Sequence, residues 1–214
     1  MSERAIVYVD GYNWYHSIFK HYPAWKWLNQ PAFFAALRPH EDVISIKLFS
    51  SFIDPDKPTS DARERQERYF SALRTIPRMK IILGAFQPRQ VHCRGTCKEQ
   101  YTIADEKKTD VNLAVEIISD AVSGACSRMY IVSGDCDIQP AVEWVCANKS
   151  DLKITVYIPA LPDEQAKRRL DYYRTKGLKV ECKFLPLDGI KNHQLPNCVK
   201  LPDGKLAIRP HLWA

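Results

Sequence analysis

Short apolar runs alternate with amphipathic ones along most of the chain. Ala5–Val9, Val43–Phe52, Lys80–Phe86, Arg128–Ser133, Lys153–Ile158 and Lys179–Leu185 are rich in β-branched and aromatic residues and read as strands. Between them, 13–21, 31–38, 60–76, 110–123, 138–147 and 163–176 place apolar residues at helical spacing. The clearest stripe is Val111, Ala114, Val115, Ile118 and Val122, with Thr109 ahead of it as the expected N-cap. Residues 60–76 set Tyr69, Phe70, Leu73 and Ile76 against a charged face, with the turn-rich Asp54-Pro-Asp-Lys-Pro58 before them. Strands that alternate with helices predict an α/β fold: βαβ units, right-handed crossovers and a parallel sheet covered on both faces.

Two stretches fall outside this rhythm. Residues 87–104, with His92, Cys93, Gly95 and Cys97, predict a hairpin or loop insertion. The tail from Pro186 to Ala214, with its Pro202-Asp-Gly204 turn, predicts a small strap or hairpin packed on the main domain of residues 1–185. Neither has the apolar content of a second domain.

Composition narrows the class. No apolar stretch approaches the ~20 residues of a membrane helix, and Met-Ser-Glu-Arg runs straight into the first strand without room for a signal peptide. Both point to a cytoplasmic protein with no membrane partner. Seven cysteines, an odd number, mostly in periodic segments, fit reduced thiols better than a disulfide framework. The net charge of +6 is uneven: residues 151–214 carry 12 basic against 7 acidic side chains, while the first 150 are nearly balanced. A basic C-terminal third suits a polyanionic partner, although a generic solvated surface has the same composition.

The acids are placed differently. Asp10 ends the first strand, and Asp135 and Asp137 follow the strand at 128–133. Ligands of open α/β sheets bind outside the carboxyl ends of the strands, where strand order reverses. Together with Asp110, which opens a helix, these carboxylates form a candidate site for one or two Mg²⁺ or Mn²⁺ ions, hard cations that prefer oxygen. Asn13 adds a neutral oxygen or an orienting hydrogen bond. A Gly-Asp turn after a strand also serves turn chemistry, and Asp110 would cap a helix and favour its dipole.

Other residues carry two readings each. Cys93 and Cys97 beside His92 have a spacing that suits zinc, yet a tetrahedral site needs further ligands, and free thiols are the alternative. Lys167, Arg168 and Arg169 share a helix with Tyr172, which would let cations track a backbone while rings stack on bases. Tyr12 and Trp14, next to Asp10, are candidates for base stacking, or for the core.

Three short blocks resemble the signature blocks of NYN domains, in the PIN-like nuclease superfamily and nearest its LabA/DUF88-like branch. They are Val7-Tyr-Val-Asp10-Gly-Tyr-Asn13, Glu106-Lys-Lys-Thr-Asp110-Val and Ser133-Gly-Asp135-Cys-Asp137-Ile-Gln-Pro140, and the likeness extends over about residues 4–185. The resemblance implies a PIN-like three-layer α/β/α sandwich whose central, mainly parallel sheet has the order 3-2-1-4-5. It implies that Asp10, Asp110, Asp135 and Asp137 hold the metal of a ribonuclease, with Asn13 beside them and Lys108 near the site. It also implies RNA as partner and a tendency to form homodimers. Two rivals remain: a nucleic-acid-binding regulatory module that keeps the fold without catalysis, and a Mg²⁺-dependent phosphohydrolase. The second expects Asp-x-Asp directly after strand 1, where this chain has Asp10-Gly-Tyr.

Overall fold

A computed structural model describes residues 2–52, 60–93, 95, 99–161 and 164–214, without the side chains of 60, 88, 103–105, 164, 165 and 173–175. Six parallel strands form the central sheet: β1 (Glu3–Asp10), β2 (Glu41–Ser50), β3 (Met79–Leu83), β6 (Arg128–Val132), β7 (Lys153–Ile158) and β8 (Val180–Phe184), in the order β3-β2-β1-β6-β7-β8. Counted among themselves, these strands follow 3-2-1-4-5 with a sixth at the edge, the order of the PIN-like sandwich. β1 therefore sits between β2 and β6, with Val9 level with Val132.

The side-chain period of two explains the layers. Along β1, Ala5, Val7 and Val9 enter one core with Trp14, Phe33, Leu73, Tyr130 and Tyr157, while Ile6 and Tyr8 enter the other. Helices α2 (Gln30–Leu37) and α3 (Ser60–Arg74) contribute to the first core. Helices α4 (Thr109–Ser123), α5 (Gln139–Asn148) and α6 (Glu164–Thr175) contribute to the second. Because both faces are covered, the strands carry near-continuous apolar runs.

Two local readings change. The helix expected at 13–21 is a single turn, α1 (Gly11–Trp14), followed by a wider π turn over Tyr15–Phe19. Asp10 supplies its cap: the carboxylate accepts from the Asn13 N–H at 2.9 Å. Thr109, expected as an N-cap, lies inside α4; the cap position falls to Lys108, whose φ of 77° is left-handed. The Thr109 hydroxyl instead donates to Glu106 Oε1.

Between β3 and α4 the chain forms an antiparallel pair, β4 (Ala85–His92) and β5 (Gln100–Lys107), separate from the main sheet. A second small pair, β9 (Cys198–Lys200) and β10 (Leu206–Ile208), turns at Gly204, whose φ of 84° suits glycine. The C-terminal segment is tied to the loop before α2. Asn29 N donates to His193 O at 2.8 Å, Leu195 N to Trp27 O at 2.9 Å, and Trp27 Nε1 to Pro196 O at 2.8 Å. The Trp213 ring packs against Trp27 and Tyr69. Among the described residues no helix is long and apolar enough to cross a membrane.

Candidate functional site

Adjacency of β1 and β6 brings the first and third sequence blocks together. Asp10 is 2% exposed. One carboxylate oxygen accepts from Asn13 N, and the other accepts from Ser133 Oγ at 2.7 Å. Ser133 Oγ accepts in turn from Asp135 N at 3.0 Å, and Asp135 Oδ1 accepts from Asp137 N at 3.1 Å. Across the gap, Asn13 Oδ1 accepts from Gly134 N at 2.9 Å. Asn13 thus clamps the loop after β6 to the end of β1.

Burial pushes the Asp10 carboxyl above its ordinary value; the bonds from Asn13 and Ser133 resist this, and the charges of Asp135 and Glu106 add to it. Asp110 is pushed up to about 6, first by burial and then by Asp10, Asp135, Glu106 and Asp137. The four predicted aspartates therefore share one electrostatic site, and Glu106 is a fifth acid there. Its Oε1 accepts from Ser51 Oγ at 2.9 Å and from Thr109, which fixes the start of α4. Gly84 permits this packing: a Cβ there would lie 2.3 Å from Thr109 Oγ1 and 2.6 Å from Glu106 Oε1.

Ligand atoms of Asp135, Cys136 and Asp137 lie within 4.8 Å of one another. The two carboxylates fit a hard divalent cation, and the crowding around Asp110 shows what such a charge would offset. The Cys136 thiol, a softer group, donates to Asp137 Oδ1 at 3.6 Å.

The cleft at this site holds about 390 Å³ and is lined by Asn13, Gly134, Asp135, Arg168, Arg169 and Tyr172. Arg169 crosses Gly134 so closely that a Cβ there would meet its guanidinium at 2.8 Å. Two of the predicted phosphate-binding cations thus face the acids. Lys167 is exposed on the same helix outside this lining, and Lys108 is exposed at the start of α4. Tyr12 is 56% exposed, whereas Trp14 is buried among Phe19, Phe33 and Phe34. Cys93 Sγ accepts from Gly95 N at 3.3 Å; Cys97 lies outside the described residues.

Sequence reasoning missed Glu106 and Ser133 as site residues, although both stand inside the blocks it used. Their signal is positional: Ser133 ends the strand that delivers Asp135, and Glu106 lies four residues before Asp110.

Asp110→Asn is expected to stabilise the metal-free protein at pH 7.5. A folded carboxyl titrating near 6, above the ordinary 3.8, costs stability above pH 6 and nothing below about 4. Screening around this half-exposed group reduces the effect to about 1 kcal/mol, still more than the ~0.5 kcal/mol that the helix dipole returns to a charged Asp110. Urea melts in EDTA at pH 5 and 7.5 check this: wild type should gain on acidification and the variant should gain less. A variant weaker than wild type at pH 7.5 would refute it.

The NYN domain profile matches residues 4–175. The chain belongs to the NYN domain family, whose members are generally nucleases of the PIN-like fold that use divalent metal ions. A 6-hydroxy-3-succinoylpyridine 3-monooxygenase of Pseudomonas putida, HspA, is 27% identical over 241 aligned residues, spanning 98% of this chain and 75% of that protein. Among solved structures, VPA0982 of Vibrio parahaemolyticus RIMD 2210633, a protein of unknown function, is similar with a TM-score of 0.50. It is 21% identical and covers 91% of this chain and 97% of its own, a likeness of fold.

Proposed function

We propose that this chain is a metal-dependent nuclease that hydrolyses phosphodiester bonds in RNA. The observation that carries the reading is the convergence of Asp10, Glu106, Asp110, Asp135 and Asp137 beyond the ends of β1 and β6, with Arg168 and Arg169 lining the cleft beside them. Carboxylates alone would repel a phosphodiester; acids faced by arginines suit a cation between protein and phosphate.

Asp110, Asp135 and Asp137 would hold Mg²⁺ or Mn²⁺, with Asp10 beneath them. When bound, the ion supplies an activated water and offsets charge on the phosphoryl oxygens. Ser133 and Asn13 hold Asp10 and the Gly134 loop in place. Arg168, Arg169 and Lys167 would bind flanking phosphates, Lys108 would do so from the start of α4, and Tyr12 would stack on a base. Six free cysteines among the described residues suit the reducing cytoplasm.

The test is a panel of single-stranded and structured RNA and DNA incubated with purified protein in Mg²⁺, Mn²⁺ or EDTA. Cleavage that requires metal and favours RNA is expected. Salt-sensitive RNA binding without cleavage would favour the non-catalytic module instead.

A second reading rests on the Pseudomonas relative, whose name describes a monooxygenase of a hydroxylated pyridine, together with an aromatic cavity beside the acids in this chain. Such an activity would insert one atom of dioxygen into the ring and reduce the other to water with two electrons from a reductant. Ring-dependent oxygen uptake in the presence of reduced nicotinamide dinucleotide would favour it over the nuclease.

A further inference from the structure

A cavity of about 510 Å³ adjoins the acidic site, bordered by Gly11 and Glu106. Its wall is largely aromatic, with Trp14, Phe19, Tyr69, Phe70 and Trp213. A site of this size and lining suits a small planar ligand held by a few placed polar groups.

Two wall residues hold an orphaned polar atom. Among the described residues, Trp14 Nε1 and Gln30 Oε1 are buried without a hydrogen-bond partner, and the residues are 1% and 2% exposed. The other amide atom of Gln30 is engaged: Nε2 donates to the Tyr69 hydroxyl at 3.4 Å, and that hydroxyl donates to Leu28 O at 2.7 Å. The unmet demand is therefore one donor, from Trp14, and one acceptor, on Gln30. Buried polar groups in folded proteins are nearly always paired, so an unpaired donor and an unpaired acceptor on two residues that line one cavity point to an occupant.

The same wall carries two cations, Lys26 and Arg65. Lys26 lies over the Tyr15 ring at 5.0 Å and near Trp213 at 5.9 Å. Burial first, and then the charge of Arg65, hold its ammonium below the ordinary lysine value. An anion beside both would offset their repulsion.

We infer that this cavity binds a planar nitrogen heterocycle with an anionic arm, the ring offering an acceptor to Trp14 and a donor to Gln30, the anion meeting Lys26 and Arg65. With the nuclease reading, on which this identification rests, the ligand is a nucleobase with its phosphate, and the cavity makes cleavage base-selective. A free heteroaromatic carboxylate shares the chemistry, and the experiment separates the two sources.

The full chain in EDTA is titrated with AMP, CMP, GMP, UMP and hydroxynicotinate, and with two controls. Benzoate has a ring without polar ring atoms, and ribose 5-phosphate has an anion without a ring. Binding is followed by tryptophan fluorescence and calorimetry. At least one heterocyclic anion should saturate and bind about tenfold tighter than either control. Gln30→Leu, which keeps the shape of the wall, should lower that affinity about tenfold and leave benzoate unchanged. Lys26→Ala should weaken the heterocyclic anion and benzoate alike.

Nucleotide binding identifies a base pocket; binding of hydroxynicotinate alone identifies a small-molecule site and removes the nucleobase. No preference for heterocyclic anions, or a preference that survives Gln30→Leu, overturns the inference. If metal-dependent cleavage persists in that case, the nuclease reading stands without the pocket. Ring binding by a protein that cleaves nothing sinks the nuclease reading and keeps the pocket.

Discussion

Asp135→Asn is expected to abolish metal-dependent cleavage and leave the fold intact. The side chain is half-exposed, and its structural duty is to accept the Asp137 N–H through Oδ1, which an amide oxygen also does. Its backbone N–H still donates to Ser133. The substitution removes one negative charge from the set that would hold the ion, and little else. Stability should stay within about 0.5 kcal/mol, as for a surface change, while cleavage falls by about 10²–10³-fold or more, the scale of losing a principal electrostatic contact in a reaction. Asp10→Asn is a poorer probe. Its two buried oxygens accept from Asn13 N and Ser133 Oγ, and an amide nitrogen in place of one oxygen cannot accept the Ser133 proton. That variant would disturb the loop that carries Asp135 as well as the charge. Turnover within threefold of wild type in a folded Asp135→Asn protein would remove the carboxylate cluster from the mechanism.

The layers of this fold were legible because strands buried on both faces have to be apolar throughout. The strand at 128–133 and the strand at 153–158 stand out for that reason, and both lie near the centre of the sheet. Strand order was not legible from periodicity. It came with the resemblance of three blocks, and β1 beside β6 is what turns Asp10 and Asp135 from two turn residues into one site. Helix starts were less readable: Thr109 has the right side chain for a cap, but Glu106 captures its hydroxyl and Lys108 takes the cap position. Periodicity at 13–21 predicts one helix, whereas the chain makes a single α turn from Gly11, capped by Asp10, and then a π turn. Only the structure separates exposed Tyr12 from buried Trp14. The cavity left no trace in the sequence. Gln30 and Trp14 are ordinary core-facing residues until both are found lining one cavity, each with an unpaired atom, and Lys26 and Arg65 come from different segments.

Lys47→Met is expected to cost the most stability of any single change considered. Lys47 lies in β2, beside Ile46 and Leu48, where a hydrophobic pattern gives no warning of a buried charge; the residue is 4% exposed. Its ammonium contacts Glu116 and Asp120 of α4, each at 2.5 Å, and the Tyr8 hydroxyl donates to the same Asp120 oxygen at 2.6 Å. Burial pulls the lysine down, but the bonds to Asp120 and Glu116 outweigh it and hold its ammonium above the usual value. Methionine fills similar space but leaves Asp120, whose side chain is 14% exposed, with the Tyr8 hydroxyl and, among the described residues, no cation. Removing one partner of a buried pair costs about 3–5 kcal/mol, because the remaining charge stays buried uncompensated. For a domain of this size that is a fall of about 10 °C in Tm. Asp120→Asn in the same chain should return part of the loss, so the double variant should be more stable than the sum of the two single changes predicts. A fall below about 3 °C for Lys47→Met, or strict additivity in the cycle, would show that Lys47 carries no pairing energy. Because α4 opens at Thr109 and Asp110, a loosened Lys47–Asp120 anchor should also blunt metal-dependent cleavage before the protein unfolds. Asp135→Asn should show the opposite behaviour, with activity lost and Tm kept.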